Sequence, residues 1–306
     1  MVERDSDLRK RLTDHIKKTG YPLEIQVSQA LSKQRGWISW SNQMYIDPDD
    51  KKPREVDVGG VYFPALAMFD PYQATQLDSL DFGPIPFAPQ ILVECKKSSD
   101  NSLVLFPTRP FSFTMLEGQI LELPFLLGKK QMSSSGQFGA GTMGFLGTRF
   151  HYNGKFVSSS YTLTKPGAGS KPDIYEAVMV LMKAQSQSKD GLFSTLKQTD
   201  AQEKAGLISK VSTIYPVNFT FLAIVFQGSM FEAEIVDGEP VLKDLNHGYV
   251  NSVYWSTQLE RPVSYVIDVV SSTHFQDYLE LLRKDVDTAQ QTFKLYETEA
   301  LAYLTK

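Results

Sequence analysis

Strand-like and helix-like segments interleave along the whole chain without a clean linker, and this alternation constrains the fold most. Residues 5–18 and 22–35 read as two helices broken at Gly20, with Leu23, Val27, Ala30 and Leu31 at helical spacing and Pro22 suited to a first turn. Trp37–Ile46 and Arg54–Val61 read as strands either side of the polar turn Asp47–Pro53. Gln90–Lys96 reads as a short buried strand, and Leu103–Phe106 as another extended piece. Thr114–Leu127 is expected to be helical, and a hairpin is expected near Phe150–Leu163, around Asn153-Gly154. Val217–Gln227 and Met230–Val236 look like paired strands followed by an Asp237-Gly238 turn, and Tyr265–Val270 like a last strand. Residues 274–304 read as one or two amphipathic helices, with Phe275, Tyr278, Leu279 and Leu282 on one face expected to pack in the core, a dimer interface being the alternative. No internal repeat is visible, so the 306 residues are expected to form a single α/β domain.

Two stretches interrupt the pattern. Residues 62–89 carry Pro64, Pro71, Pro84, Pro86 and Pro89 among aromatic residues that include Phe63, Phe69, Tyr72, Phe82 and Phe87, which predicts a packed insertion rather than a flexible linker. Residues 128–170 are rich in Gly and Ser, and 128–149 reads as a mobile loop. Beyond it, Asp173 and Glu176 form a capping-box-like start to a helix that presents Ala177, Val178, Leu181 and Met182 on one face.

Composition narrows the function. With 35 acidic against 31 basic residues the net charge is −4, which argues against coating nucleic acid through bulk charge. A single cysteine, Cys95, excludes a disulfide framework and suits a reducing compartment. The opening residues are charged from the third onward, so no secretory signal and a cytoplasmic setting are expected. The longest apolar runs are too short to span a bilayer, and no membrane association is expected.

The chemistry concentrates in Glu24, Asp57, Glu94 and Lys96. Asp57 lies in the strand-like REVDVGG, and Glu94 and Lys96 end the strand-like ILVECKKS. Residues two apart in a strand share a face, so Glu94 and Lys96 project together while Val93 and Cys95 face the other layer. If the two strands are neighbours, Asp57 meets Glu94 across the pair. Two carboxylates with an open side suit a hard cation such as Mg²⁺ or Mn²⁺, and a lysine beside them can orient an attacking water. Gly59-Gly60 would allow a close approach of backbone or ligand. An uncompensated carboxylate and lysine directly after an apolar strand are costly, which favours a site over an incidental ion pair.

In these residues the chain resembles the PD-(D/E)xK, or restriction-endonuclease-like, nucleases. Asp57 matches the first acid of that signature, Glu94-Cys95-Lys96 matches E-x-K, and Glu24 in GYPLEIQVSQAL matches a helical glutamate. The residue before Asp57 is Val56 rather than proline, and the aromatic insertion lengthens the gap to Glu94. The resemblance covers residues 20–100 and implies a central mixed β-sheet flanked by helices. It further implies Mg²⁺-dependent hydrolysis of DNA, with RNA as an open alternative, in a defence, restriction or repair role. Asp57, Glu94 and the Cys95 carbonyl would hold the metal, Lys96 would serve the water, and Glu24 would complete the site. A homodimer or larger assembly is a further implication. The rival expectation is a nucleic-acid-binding or assembly subunit with this fold and no turnover.

Other motifs carry less. Gly139–Gly144 fits G-x-G-x-x-G but follows no apolar strand and opens no helix, so a dinucleotide site is not expected. His15, His151, His247 and His274 are scattered and form no ligand pair in sequence, so zinc is not expected. Cys95 reads as a small core residue, and Lys97, adjoining the E-x-K, is the basic residue expected to meet a phosphate.

Overall fold

A computed structural model describes residues 2–62, 89–119, 150–164, 174–187, 219–256 and 260–304. The expected insertion at 62–89, the Gly/Ser-rich loop at 128–149 and the G-x-G-x-x-G match fall almost wholly outside those residues, as do residues 190–210, whose polar sequence reads as helical. Helices α1 (Val2–Lys18) and α2 (Tyr21–Ser32) lead into strands β1 (Trp37–Ile46), β2 (Pro53–Tyr62), β3 (Gln90–Lys97) and β4 (Ser102–Pro110). After a 3₁₀ helix (Phe113–Gln119) come β5 (Phe156–Thr164) and a helix α3 over 174–187. Strands β6 (Thr220–Gln227), β7 (Met230–Val236), β8 (Glu239–Asp244), β9 (His247–Ser256) and β10 (Arg261–Ser271) follow, and α4 (Phe275–Leu304) comes last.

Among the described residues the ten strands form one mixed sheet in the order β1-β2-β3-β6-β10-β9-β5-β4-β7-β8. The α/β class is therefore as the sequence predicts. Strand β6 sits in its middle, parallel to both β3 and β10, and its residues are buried almost throughout, as a doubly covered strand requires. The pairing expected between β6 and β7 does not occur: β7 pairs with β4 and β8 instead. Only Gly228 and Ser229 separate β6 from β7, although the two stand five positions apart in the sheet. A flat sheet would need to span about 24 Å there at about 4.8 Å per strand. Three residue steps reach about 11 Å, so the sheet curls.

The curl separates two cores. On one face α2, α4 and the 3₁₀ helix pack through Leu23, Val27, Leu31, Leu116, Phe275, Tyr278 and Leu282 against Val93, Phe221 and Val266. On the other, α3 packs through Ile174, Ala177, Val178, Leu181 and Met182 against Leu92, Leu103, Ile224 and Ile267. The expected burial of one face of α4 is realised, while the helix expected over Thr114–Leu127 is 3₁₀ as far as Gln119.

Glycine permits close packing beside β2. A Cβ on Gly60 would stand 2.6 Å from Leu31 Cδ2, so α2 presses directly onto the strand. A Cβ on Gly59 would meet the Trp40 indole at 2.4 Å. The room expected for a ligand at this glycine pair is thus filled by the protein's own side chains.

Candidate active site

Strands β2 and β3 are antiparallel neighbours, the adjacency on which the meeting of Asp57 and Glu94 depends. Their ladder runs from Val61–Gln90 to Val58–Val93 and stops there. At the same level the β1–β2 ladder omits the Asn42–Asp57 pair, and Asn42 has a left-handed φ of 57°. Val56 and Val58 also belong to different cores, so β2 changes face at Asp57. The strands part at this point, and a carboxylate occupies the gap: Asp57 Oδ2 accepts a hydrogen bond from the Cys95 backbone amide at 2.7 Å.

On β3 the expected alternation holds. Val93 and Cys95 belong to the core beneath α2 and α4, while Leu92, of the same parity as Glu94 and Lys96, belongs to the core beneath α3. Glu94 is buried, with only 4% of its side chain exposed, and Lys96 Nζ lies 2.9 Å from Glu94 Oε2. Burial pushes the Glu94 carboxyl up to about 7, against the opposing pull of Lys96. Desolvation likewise raises Asp57, although the Cys95 amide and Lys96 lower it. Lys96 is itself held above the ordinary lysine range, because Glu94 and Asp57 outweigh its own desolvation.

Glu24 comes from the first turn of α2. Its carboxyl is raised by burial first, then by the negative charge of Asp57 and Glu55, with Lys96 acting in the opposite sense. The close seat of α2 against Gly60 thus brings the helical glutamate into the field of the strand residues. Cys95 is buried, and its thiol is pushed up by desolvation, so it behaves as the core residue expected of it. Lys97 is exposed, and its Nζ donates to the Lys17 carbonyl at 2.6 Å, tying β3 to the C-terminal turn of α1.

Asp57, Glu94 and Lys96 act on one another at the β2–β3 junction, and the Glu24 carboxyl, on α2, feels the charges of Asp57 and Lys96. Oxygen donors of this kind fit Mg²⁺ or Mn²⁺ by their hardness, and a carboxyl near 7 beside a second carboxylate has a deficit of positive charge that a cation would relieve. Among the described residues, however, the group that brings three ligand atoms within 4.8 Å of one another is a different one: His151, His247 and Asp268.

That second cluster overturns the reading of the histidines as unrelated. Asp268, wholly buried on β10, places Oδ1 3.0 Å from His151 Nε2 and 2.8 Å from His247 Nε2. Its Oδ2 accepts hydrogen bonds from Tyr152 and Tyr278 at 2.8 and 3.0 Å. His151 Nδ1 faces Asp285 of α4, whose carboxylate also accepts the His151 backbone amide at 3.1 Å. The two carboxylates overcome burial and push His151 up to about 9. The sequence offers one hint of this arrangement, an aspartate among the apolar residues of YVIDVV.

Comparison with protein-family models, with curated proteins and with solved structures returned no match to this chain.

Proposed function

We propose that the chain is a Mg²⁺-dependent nuclease with a restriction-endonuclease-like core, hydrolysing DNA phosphodiester bonds. The observation that carries this reading is the junction of β2 and β3, where the Asp57 carboxylate meets the Cys95 amide beside the Glu94–Lys96 pair. Asp57, Glu94 and the Cys95 carbonyl would hold the ion, which when bound supplies charge neutralisation at the phosphate and acidifies a water. Lys96 remains an ammonium while Glu94 lies beside it, so it suits orienting that water and offsetting phosphate charge rather than accepting the proton. Glu24, whose affinity for a proton is raised by burial and by Asp57, suits the acceptor's part.

The test compares wild type, Asp57→Ala and Lys96→Ala on plasmid and linear DNA with Mg²⁺ or Mn²⁺. Each substitution is expected to lower cleavage by about 100-fold or more. Equal cleavage by all three proteins would sink the proposal. A second reading, a nucleic-acid-binding subunit without turnover, draws support from the Glu94–Lys96 bond, which pairs both charges without an ion. Calorimetric titration separates the two: Mg²⁺ binding that is lost in Glu94→Ala favours the nuclease, and no binding by wild type favours the subunit.

A further inference from the structure

Strands β9 and β5 are joined through a single ladder pair, Ser158–Val250, and beside this seam lies a cavity of about 550 Å³. His151 and His247 both line it, together with Lys155, Glu232 and Tyr249. The cluster around Asp268 therefore opens on a space large enough for a small ligand.

The arrangement of this cluster has the two tiers of a metal centre. In the inner tier, His151 Nε2, His247 Nε2 and Asp268 Oδ1 point at one another, with the carboxylate oxygen 2.8–3.0 Å from each nitrogen. Donors bound to one ion at about 2.0–2.2 Å stand roughly this far apart. In the outer tier, the remaining polar atoms of two ligands are engaged. Asp285 takes His151 Nδ1, and the hydroxyls of Tyr152 and Tyr278 take Asp268 Oδ2. Outer partners of this type fix the ring and leave Nε2 to the ion. Topology sets the assembly: Asp268 stands opposite Tyr249 in the β9–β10 ladder, so His247, two residues before Tyr249, shares its face. The 150–154 turn brings His151 from the other side of the seam.

We propose that His151, His247 and Asp268 bind a divalent transition metal of the Zn²⁺ class, with an open coordination position on the cavity. Two imidazoles and one carboxylate select such ions over Mg²⁺, which prefers an all-oxygen shell. A divalent ion would offset the charge of the buried carboxylates Asp268 and Asp285. The site is distinct from the proposed Mg²⁺ site. Asp268 lies on the face covered by α4 and Glu94 on the face covered by α3, with β6 between their strands. The inference does not rest on the nuclease reading.

Cobalt(II) serves as the probe on the full chain stripped with chelator, read by visible absorption and by calorimetric stoichiometry. Wild type and Glu94→Ala are expected to bind Co²⁺ with the same nitrogen-ligand spectrum. His247→Ala, at a ring that is partly exposed, is expected to lose that spectrum and at least tenfold in affinity. Tyr278→Phe keeps the buried ring, removes only a bond to Asp268, and is expected to weaken Co²⁺ binding by 10-fold to 100-fold, a range typical of outer-tier changes. Absence of Co²⁺ binding by wild type overturns the proposal, as does an unchanged spectrum and affinity in both His247→Ala and Tyr278→Phe.

Discussion

Glu94 carries an electrostatic cost that its burial sets. Its carboxyl titrates near 7 in the folded chain against about 4.5 for an ordinary glutamate. Below pH 4.5 it is protonated in both folded and unfolded chains and contributes nothing to a pH dependence. Between 4.5 and 7 the unfolded chain releases a proton that the folded chain still holds, so stability falls as pH rises, and the deficit is complete above 7. At about 1.4 kcal/mol per pH unit the deficit is on the order of 3 kcal/mol. Glu94→Gln, in chelator, is therefore expected to gain stability over wild type at pH 8 and not at pH 4, read by urea unfolding at both. An identical difference at the two pH values would contradict the account. At this scale much of the first site was legible. A carboxylate and a lysine two apart after Ile91-Leu92-Val93 announce charge at the end of a buried strand, and the structure puts Glu94 there with 4% of its side chain exposed. The second site was not legible, because Asp268 and His151 are 117 residues apart and neither stands in a recognisable spacing.

The elements position these residues through a few tight contacts. α2 rests on Gly60, and any side chain there must push Leu31, which is fully buried. Gly60→Ala is expected to destabilise by about 1–3 kcal/mol, the range for overpacking, and to lower activity by moving Glu24 away from Asp57. Urea unfolding and plasmid cleavage read the two effects, and full retention of both would show that α2 has slack. The β1–β2 turn is tied to α3 by Lys183, whose Nζ reaches Asp47 Oδ2 at 2.9 Å and Asp49 Oδ2 at 2.7 Å. Asp47 is buried, and Arg54 at 4.0 Å is its second cation. Lys183→Met is expected to cost about 2–4 kcal/mol, less than a fully orphaned buried charge because Arg54 remains. A change below about 0.5 kcal/mol would mean that Arg54 alone satisfies the turn. Helix and strand positions were mostly readable at this scale, since periodicity and Gly or Pro punctuation act locally. Strands β8 and β9 were not anticipated, and β6 was given the wrong partner, because pairing is a choice between distant strands of similar pattern.

For the molecule as a whole, the curled sheet sets a gradient of stability. Strand β6 is enclosed on both faces, whereas every residue of β8, at the edge, is exposed. Amides of Phe221–Val225 are expected to exchange with deuterium through global unfolding, and those of β8 through local opening orders of magnitude faster. Mass-spectrometric hydrogen exchange reads this directly, and equal protection of the two strands would refute the gradient. The net charge of −4, set against nucleic acid at first sight, is partly accounted for by carboxylates gathered at the two clusters.

Residue order alone determined the α/β class, the positions of most helices and strands, and the charged end of β3, because each depends on side chains within a few residues of one another. Tertiary structure decided which strands became neighbours, that β2 would break its ladder at Asp57, and that two distant histidines would meet on Asp268. Those outcomes depend on closing long loops around shared cores, where burial and register, rather than local preference, select the partner.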